Sequence, residues 1–143
     1  MKPKLLLRLA AALMLLHAIG HSFGALGQNK PPNEKVAAVL NGMETEQFTF
    51  MARLSTIADF YRGYGIILIF VLLLLTIQLW LLSSNPIRSL QLTLGSFLLV
   101  QAVAEYIYFF PMAALISLLA AFLTLLATYG INTANSALSN RNR

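Results

Sequence analysis

The sequence predicts an all-α fold: a four-helix transmembrane bundle, N-in/C-in, with a partly ordered outer segment between helices one and two. Three observations predict it. Hydrophobic residues make up 58% of the 143 and charged residues 10%, against roughly 45–50% and about 25% in soluble domains. Four stretches, about 5–26, 64–82, 87–109 and 112–131, reach the roughly 20 apolar residues that a bilayer crossing needs. Lysine and arginine outside these stretches fall on alternate sides, as the positive-inside rule requires. Mean hydropathy is +0.73, more apolar surface than a soluble domain of this size can cover. Soluble globular, disordered and coiled-coil classes are therefore excluded. With 0 Cys there is no disulfide framework, zinc–cysteine site or iron–sulfur cluster. Residues 1–143 read as a single membrane domain.

The first span opens on Met1-Lys2-Pro3-Lys4 and Leu5-Leu6-Leu7, which has the form of a secretory signal. Ala18-Ile19-Gly20 supplies a small-x-small cleavage site, so removal of residues 1–20 stays open. Continuation of the apolar run to Leu26, the interruption at Arg8, and His17 and His21 favour a retained span. The outer segment, about 28–62, begins with the polar, proline-rich run Gln28–Glu34, a surface loop. Lys35–Met43 reads as a short helix, with Asn41-Gly42 offering a rival hairpin turn. Gln47-Phe48-Thr49-Phe50 alternates like a strand. The favoured reading is helical, with Phe48, Met51 and Leu54 leading into the second span. That span ends near Trp80, an interfacial anchor. Ser83-Ser84-Asn85-Pro86 turns the chain into the third span. Pro111 marks the tight connection to the fourth, whose Ala113, Ser117, Ala120, Thr124 and Ala127 form a small-residue packing stripe.

With the N-terminus inside, Lys2, Lys4, Arg8, Arg88, Arg141 and Arg143 lie at the inner side with no acidic residue among them. The outer side then holds Lys30, Lys35, Arg53 and Arg62 with Glu34, Glu44, Glu46, Asp59 and Glu105. The net charge of +5 thus reports topology in a plasma (inner) membrane, and the basic tails are too short for nucleic-acid binding.

Polar residues inside the spans fall on defined faces. His17, Gly20, His21 and Gly24 share one face of the first span, and Gly-x-x-x-Gly permits close helix approach. Gln101 and Glu105 share a face of the third, and an intramembrane carboxyl normally faces protein or a watery cavity. Counting from the inner interface, His21 lies about 24 Å up and Glu105 about 26 Å. Asp59 and Tyr64 enter the second span at that outer level. The expected cluster is His17, His21, Asp59, Tyr64, Gln101 and Glu105.

The runs Leu16-His17-Ala18-Ile19-Gly20-His21-Ser22-Phe23-Gly24 and Asp59-Phe60-Tyr61-Arg62-Gly63-Tyr64-Gly65 resemble motifs of a family of small bacterial four-helix integral membrane proteins. In that family a His-x-x-Gly-His motif stands in the first span. The resemblance spans about residues 5–75, with Ala18 where that family often has Gly. It implies a four-helix membrane fold and brings no established activity.

Three function classes fit these residues. The first is a structural or accessory protein in which the histidines hold helices in register through Glu105 and Asp59. The second is a small-ligand or proton-relay protein, since histidine titrates near neutrality. It would bind a lipid-like or quinone-like molecule in an outer pocket lined by Phe97, Gln101 and Glu105. The third is a metal-dependent membrane enzyme with His17 and His21 at i, i+4 and Glu105 as third ligand. That reading lacks both a helix-borne Glu between the histidines and a second His-rich motif. An enzyme is accordingly the less favoured reading, and the sequence assigns no cofactor. Expected partners are the lipid bilayer, a hydrophobic small molecule, and a second copy or a partner membrane protein packed on Gly20, Gly24 or the small stripe of the fourth span.

Overall fold

The computed structural model describes residues 2–27 and 30–141, with side chains as far as 129. Met1, Gln28, Asn29, Asn142 and Arg143 lie outside the described residues. So do the first two residues of the expected surface loop and the last of the expected inner arginines. In chain order the elements are α1 (Pro3–Leu26), α2 (Glu34–Thr45), β1 (Gln47–Phe50), β2 (Arg53–Thr56), α3 (Ile57–Ser84), α4 (Arg88–Tyr108) and α5 (Pro111–Arg141). Four helices are long and apolar enough to cross a membrane: Pro3–Leu26, Ile57–Ser84, Arg88–Tyr108 and Pro111–Tyr129. The chain divides into two compact units, Met1–Ala18 with Leu72–Arg143, and Ile19–Val71.

The first unit is helical. Its α1 portion buries Leu6, Leu7, Ala10, Ala11, Met14, His17 and Ala18, one stripe at helical spacing. Its part of α3 buries Leu72, Leu75, Leu79 and Leu82. α4 contributes Leu94, Leu98 and Ala102, and α5 the small residues Ala113, Ala120 and Ala127. Only Phe109 and Phe110 separate α4 from α5, and Pro111 takes the first helical position, where its missing N–H costs nothing. At Gly95 an added Cβ would sit 2.6 Å from Leu125 Cδ2 and 2.7 Å from its Cγ. Glycine there is what lets α4 and α5 approach. Hydroxyls in this apolar setting bond within their own helices: Thr124 to the Ala120 carbonyl, Thr128 to Leu125, Ser83 to Trp80. The Arg8 guanidinium lies 4.9 Å over the Trp80 ring centroid, a cation–π contact that separate readings of the two residues miss. Gln91 is 0% exposed, and neither amide atom has a protein partner.

The second unit contains the end of α1, α2, a β-hairpin and the start of α3. α2 forms as expected. Asn33 caps it, its side-chain oxygen accepting from the Val36 amide at 3.0 Å. Asn41-Gly42 lies within this helix and makes no hairpin turn. The helical reading of 47–56 is corrected: β1 and β2 pair antiparallel, Phe48 with Ser55 and Phe50 with Arg53. The turn is Met51-Ala52, both at positive φ (46° and 65°), as a two-residue hairpin loop of the primed type requires. Such backbone costs a non-glycine residue about 1–2 kcal/mol. Aromatic packing offsets part of it. Phe48 and Phe50 project from one strand face onto Phe60 of α3, one stacked at 5.9 Å and one edge-on at 5.5 Å, each pair worth about 0.5–1.5 kcal/mol.

α3 begins seven residues before the expected span. The Asp59 amide donates to Thr56 Oγ1 at 3.1 Å, and the Thr56 amide donates to Asp59 Oδ2 at 3.0 Å. This reciprocal pair is the capping-box arrangement. The fold is thus helical apart from one short hairpin.

Candidate functional site

A buried polar network lies within the helical unit. His17 is 6% exposed, Glu105 6% and Ser117 0%. His17 Nδ1 lies 3.2 Å from Ser117 Oγ. His17 Nε2 lies 3.6 Å from Glu105 Oε1, within ion-pair range and beyond hydrogen-bond length. Gln101, one turn before Glu105 on α4, donates Nε2–H to the same Oε1 at 2.7 Å. Three helices supply the four residues, and the chain achieves this with ordinary periodicity. Gln101 and Glu105 are i, i+4 neighbours on α4. Ser117 is one position of the small stripe on α5. His17 stands in the buried stripe of α1.

The proton arrangement follows from the partner. Where Glu105 is a carboxylate it only accepts, and the Nε2 facing it carries hydrogen. Nδ1 then either accepts from the Ser117 hydroxyl in a neutral ring or donates to it in an imidazolium. Two acceptors are left over. Glu105 Oε2 and Gln101 Oε1 are buried and have no hydrogen-bond partner. Orphaned buried oxygens cost about 1–3 kcal/mol each.

Serine, histidine and glutamate in series suggest a hydrolytic triad only superficially. A nucleophilic serine needs access to a carbonyl and oxyanion donors beside it. Ser117 Oγ is fully buried, and its contact is on Nδ1.

His21, Asp59 and Tyr64 belong to the other unit. His21 Nε2 lies 3.1 Å from the Gly65 carbonyl oxygen. Beside that contact a Cβ on Gly65 would meet Ala25 Cβ at 3.0 Å, so α1 and α3 approach closely there. Asp59 caps α3, and Tyr64 is 70% exposed. The expected six-residue cluster is therefore represented in the first unit by His17, Gln101 and Glu105, joined by Ser117. A small-residue stripe gave no signal for Ser117 as a histidine partner.

An added Cβ on Gly20 or Gly24 meets nothing within 4 Å, and among the described glycines Gly65 and Gly95 show close approaches. Among the described residues no three His, Cys, Asp or Glu side chains come together as a metal site. Within its own unit His17 faces Ser117 and Glu105, and within the other His21 faces the Gly65 carbonyl.

A separate groove of about 470 Å³ lies in the second unit, lined by residues of the hairpin and of α3 between Phe50 and Ile67. Phe97, Gln101 and Glu105, the expected pocket walls, are not among its lining residues. Comparison with known proteins finds no matching family model, curated protein or solved structure.

Proposed function

We propose that the chain is a multi-pass protein of a bacterial inner membrane, both termini inside, that works by binding rather than by catalysis. Its working element is the network of His17, Glu105, Gln101 and Ser117, which holds α1, α4 and α5 in register and accepts a proton or a small donor. One observation carries this reading: Glu105 Oε2 and Gln101 Oε1 are buried beside an imidazole and have no protein donor. Unpaired buried acceptors destabilise a purely structural lock, and unlike the lone Gln91 these two belong to residues that share a hydrogen bond beside His17. The motifs around His17–His21 and Asp59–Gly65 support membership of the small bacterial membrane family they resemble. The alternating positive charge supports the orientation.

Infrared difference spectra of the full chain in nanodiscs test the site. A carboxyl band that vanishes in Glu105→Gln, shifts in heavy water and moves in Ser117→Ala is the expected result. If no such band is found, Glu105 exchanges no proton. If Glu105→Gln then also leaves stability unchanged, the network is not the working element. Reporter fusions at the C-terminus and in the loop before α2 test orientation. An outward C-terminus refutes it.

A further inference from the structure

We infer that the groove between the hairpin and the first turns of α3 binds a glycerophospholipid whose headgroup carries both a phosphate and a primary ammonium. The walls are Phe50, Met51, Phe60, Tyr64 and Ile67, with Arg53 and Asp59 as the charged pair. Its volume, about 470 Å³, falls in the usual range of small-molecule sites, roughly 300–1,000 Å³.

Charge complementarity selects the occupant. Arg53 and Arg62 both attract the Asp59 carboxylate, but among the described residues neither closes an ion pair with it, and the only ion pair is His17 with Glu105. The Arg53 guanidinium thus keeps its N–H donors for a phosphate, which it matches with two parallel bonds. Asp59 uses Oδ2 for the Thr56 amide, and no hydrogen bond among the described residues takes Oδ1. That oxygen can accept from an ammonium, whose charge the faces of Phe60 and Tyr64 also favour. A cation and an anion in one groove fit a zwitterion better than a singly charged ligand.

The tail follows from the polarity of α3. Its sequence passes from Asp59 and Arg62 to the unbroken apolar run Ile66–Val71 within two turns. Gly63 and Tyr64 stand at the boundary, and Ile67 lines the apolar end of the groove. A ligand with a charged head and a hydrocarbon chain matches that gradient, whereas a wholly water-soluble phosphate ester would leave the apolar end unfilled. Tyrosine at such a boundary is the usual residue of a headgroup belt.

This site is independent of the His17–Glu105 network, so either can fail alone. The test is lipid retention by the full chain, measured by native mass spectrometry from nanodiscs containing equal phosphatidylethanolamine, phosphatidylcholine and phosphatidylglycerol. The unsubstituted protein retains the ethanolamine lipid preferentially. Arg53→Gln weakens retention of all three by about fivefold, the factor equivalent to about 1 kcal/mol for one basic side chain at a lipid surface. Asp59→Asn keeps an acceptor for the Thr56 amide and removes only the charge, so it abolishes the preference for ethanolamine over choline while the lipids still bind. Arg62→Ala, outside the groove lining and acting on Asp59 only through its charge, weakens retention by less than Arg53→Gln. Far-ultraviolet circular dichroism checks that each variant is folded. Equal retention of the three lipids by the unsubstituted protein overturns the proposal. So does a loss in Arg62→Ala equal to that in Arg53→Gln. Displacement of the lipid by equimolar soluble phosphoethanolamine would overturn the lipid as source.

Discussion

Removing the Ser117 hydroxyl tests the network with the least collateral change. Ser117→Ala deletes one oxygen from a residue that is 0% exposed and leaves almost the same volume. It removes the 3.2 Å contact with His17 Nδ1. A polar contact between membrane helices is worth about 0.6 kcal/mol on average and about 1.7 at most, so the expected loss is about 1 kcal/mol. His17→Ala also empties the ring's space and should cost about 2–4 kcal/mol. Ser117→Ala in the His17→Ala background should then cost little, giving a coupling of about 0.6–1.7 kcal/mol. The assay is unfolding by sodium dodecyl sulfate in bicelles, followed by fluorescence of Trp80, the chain's single tryptophan, which lies in the same unit. Strict additivity of the two substitutions would refute the claim that they share an interaction.

Gly95→Ala should destabilise the α4–α5 pair by about 1–3 kcal/mol, as overpacking does, because its methyl would sit 2.6 Å from Leu125 Cδ2; Leu125→Ala in the same chain should relieve most of the loss. Arg8→Ala should remove about 0.5–1 kcal/mol, the range for a cation–π contact at an exposed site, and change the Trp80 emission, whereas Arg8→Lys should retain part of both. Ala52→Gly should slow amide exchange in β1 and β2, since glycine at φ 65° relieves about 1–2 kcal/mol of backbone strain against an entropic loss of about 0.5–1; faster exchange would contradict the turn assignment.

The spans were legible because hydropathy over about 20 residues is a property of composition alone. α1 stops at the expected Leu26, and α4 and α5 begin within one residue of expectation. α3 starts earlier because its first turns are held by the Thr56–Asp59 cap, a polar device that apolar counting ignores. The hairpin was hidden by its turn: Met51-Ala52 carries none of the Gly or Asn that announce positive φ, while Asn41-Gly42, which does, lies inside α2. What fixes the strands is Phe60, ten residues past Phe50, a tertiary contact. In the site, the i, i+4 spacing of Gln101 and Glu105 was readable from α4 alone. Ser117 was not, because a serine among alanines looks like packing until its neighbour is known. Nor was the His21 contact, since its partner is a backbone carbonyl with no residue type attached. The close approaches at Gly65 and Gly95 likewise depend on which helices meet.

The two-residue link between α4 and α5 bears on how the protein is made. Helices joined so tightly enter a bilayer as one hairpin, with the link at its leading tip. In the proposed orientation, with the termini inside, that tip would carry Glu105 from one surface nearly to the other. A carboxylate at mid-membrane costs about 2.5–3.5 kcal/mol on insertion scales. α1 is synthesised roughly ninety residues earlier, so in that reading His17 precedes Glu105 into the membrane. The order of the chain thus supplies the acid's partner before the acid, and a circular permutant placing α1 last would have to insert Glu105 without it.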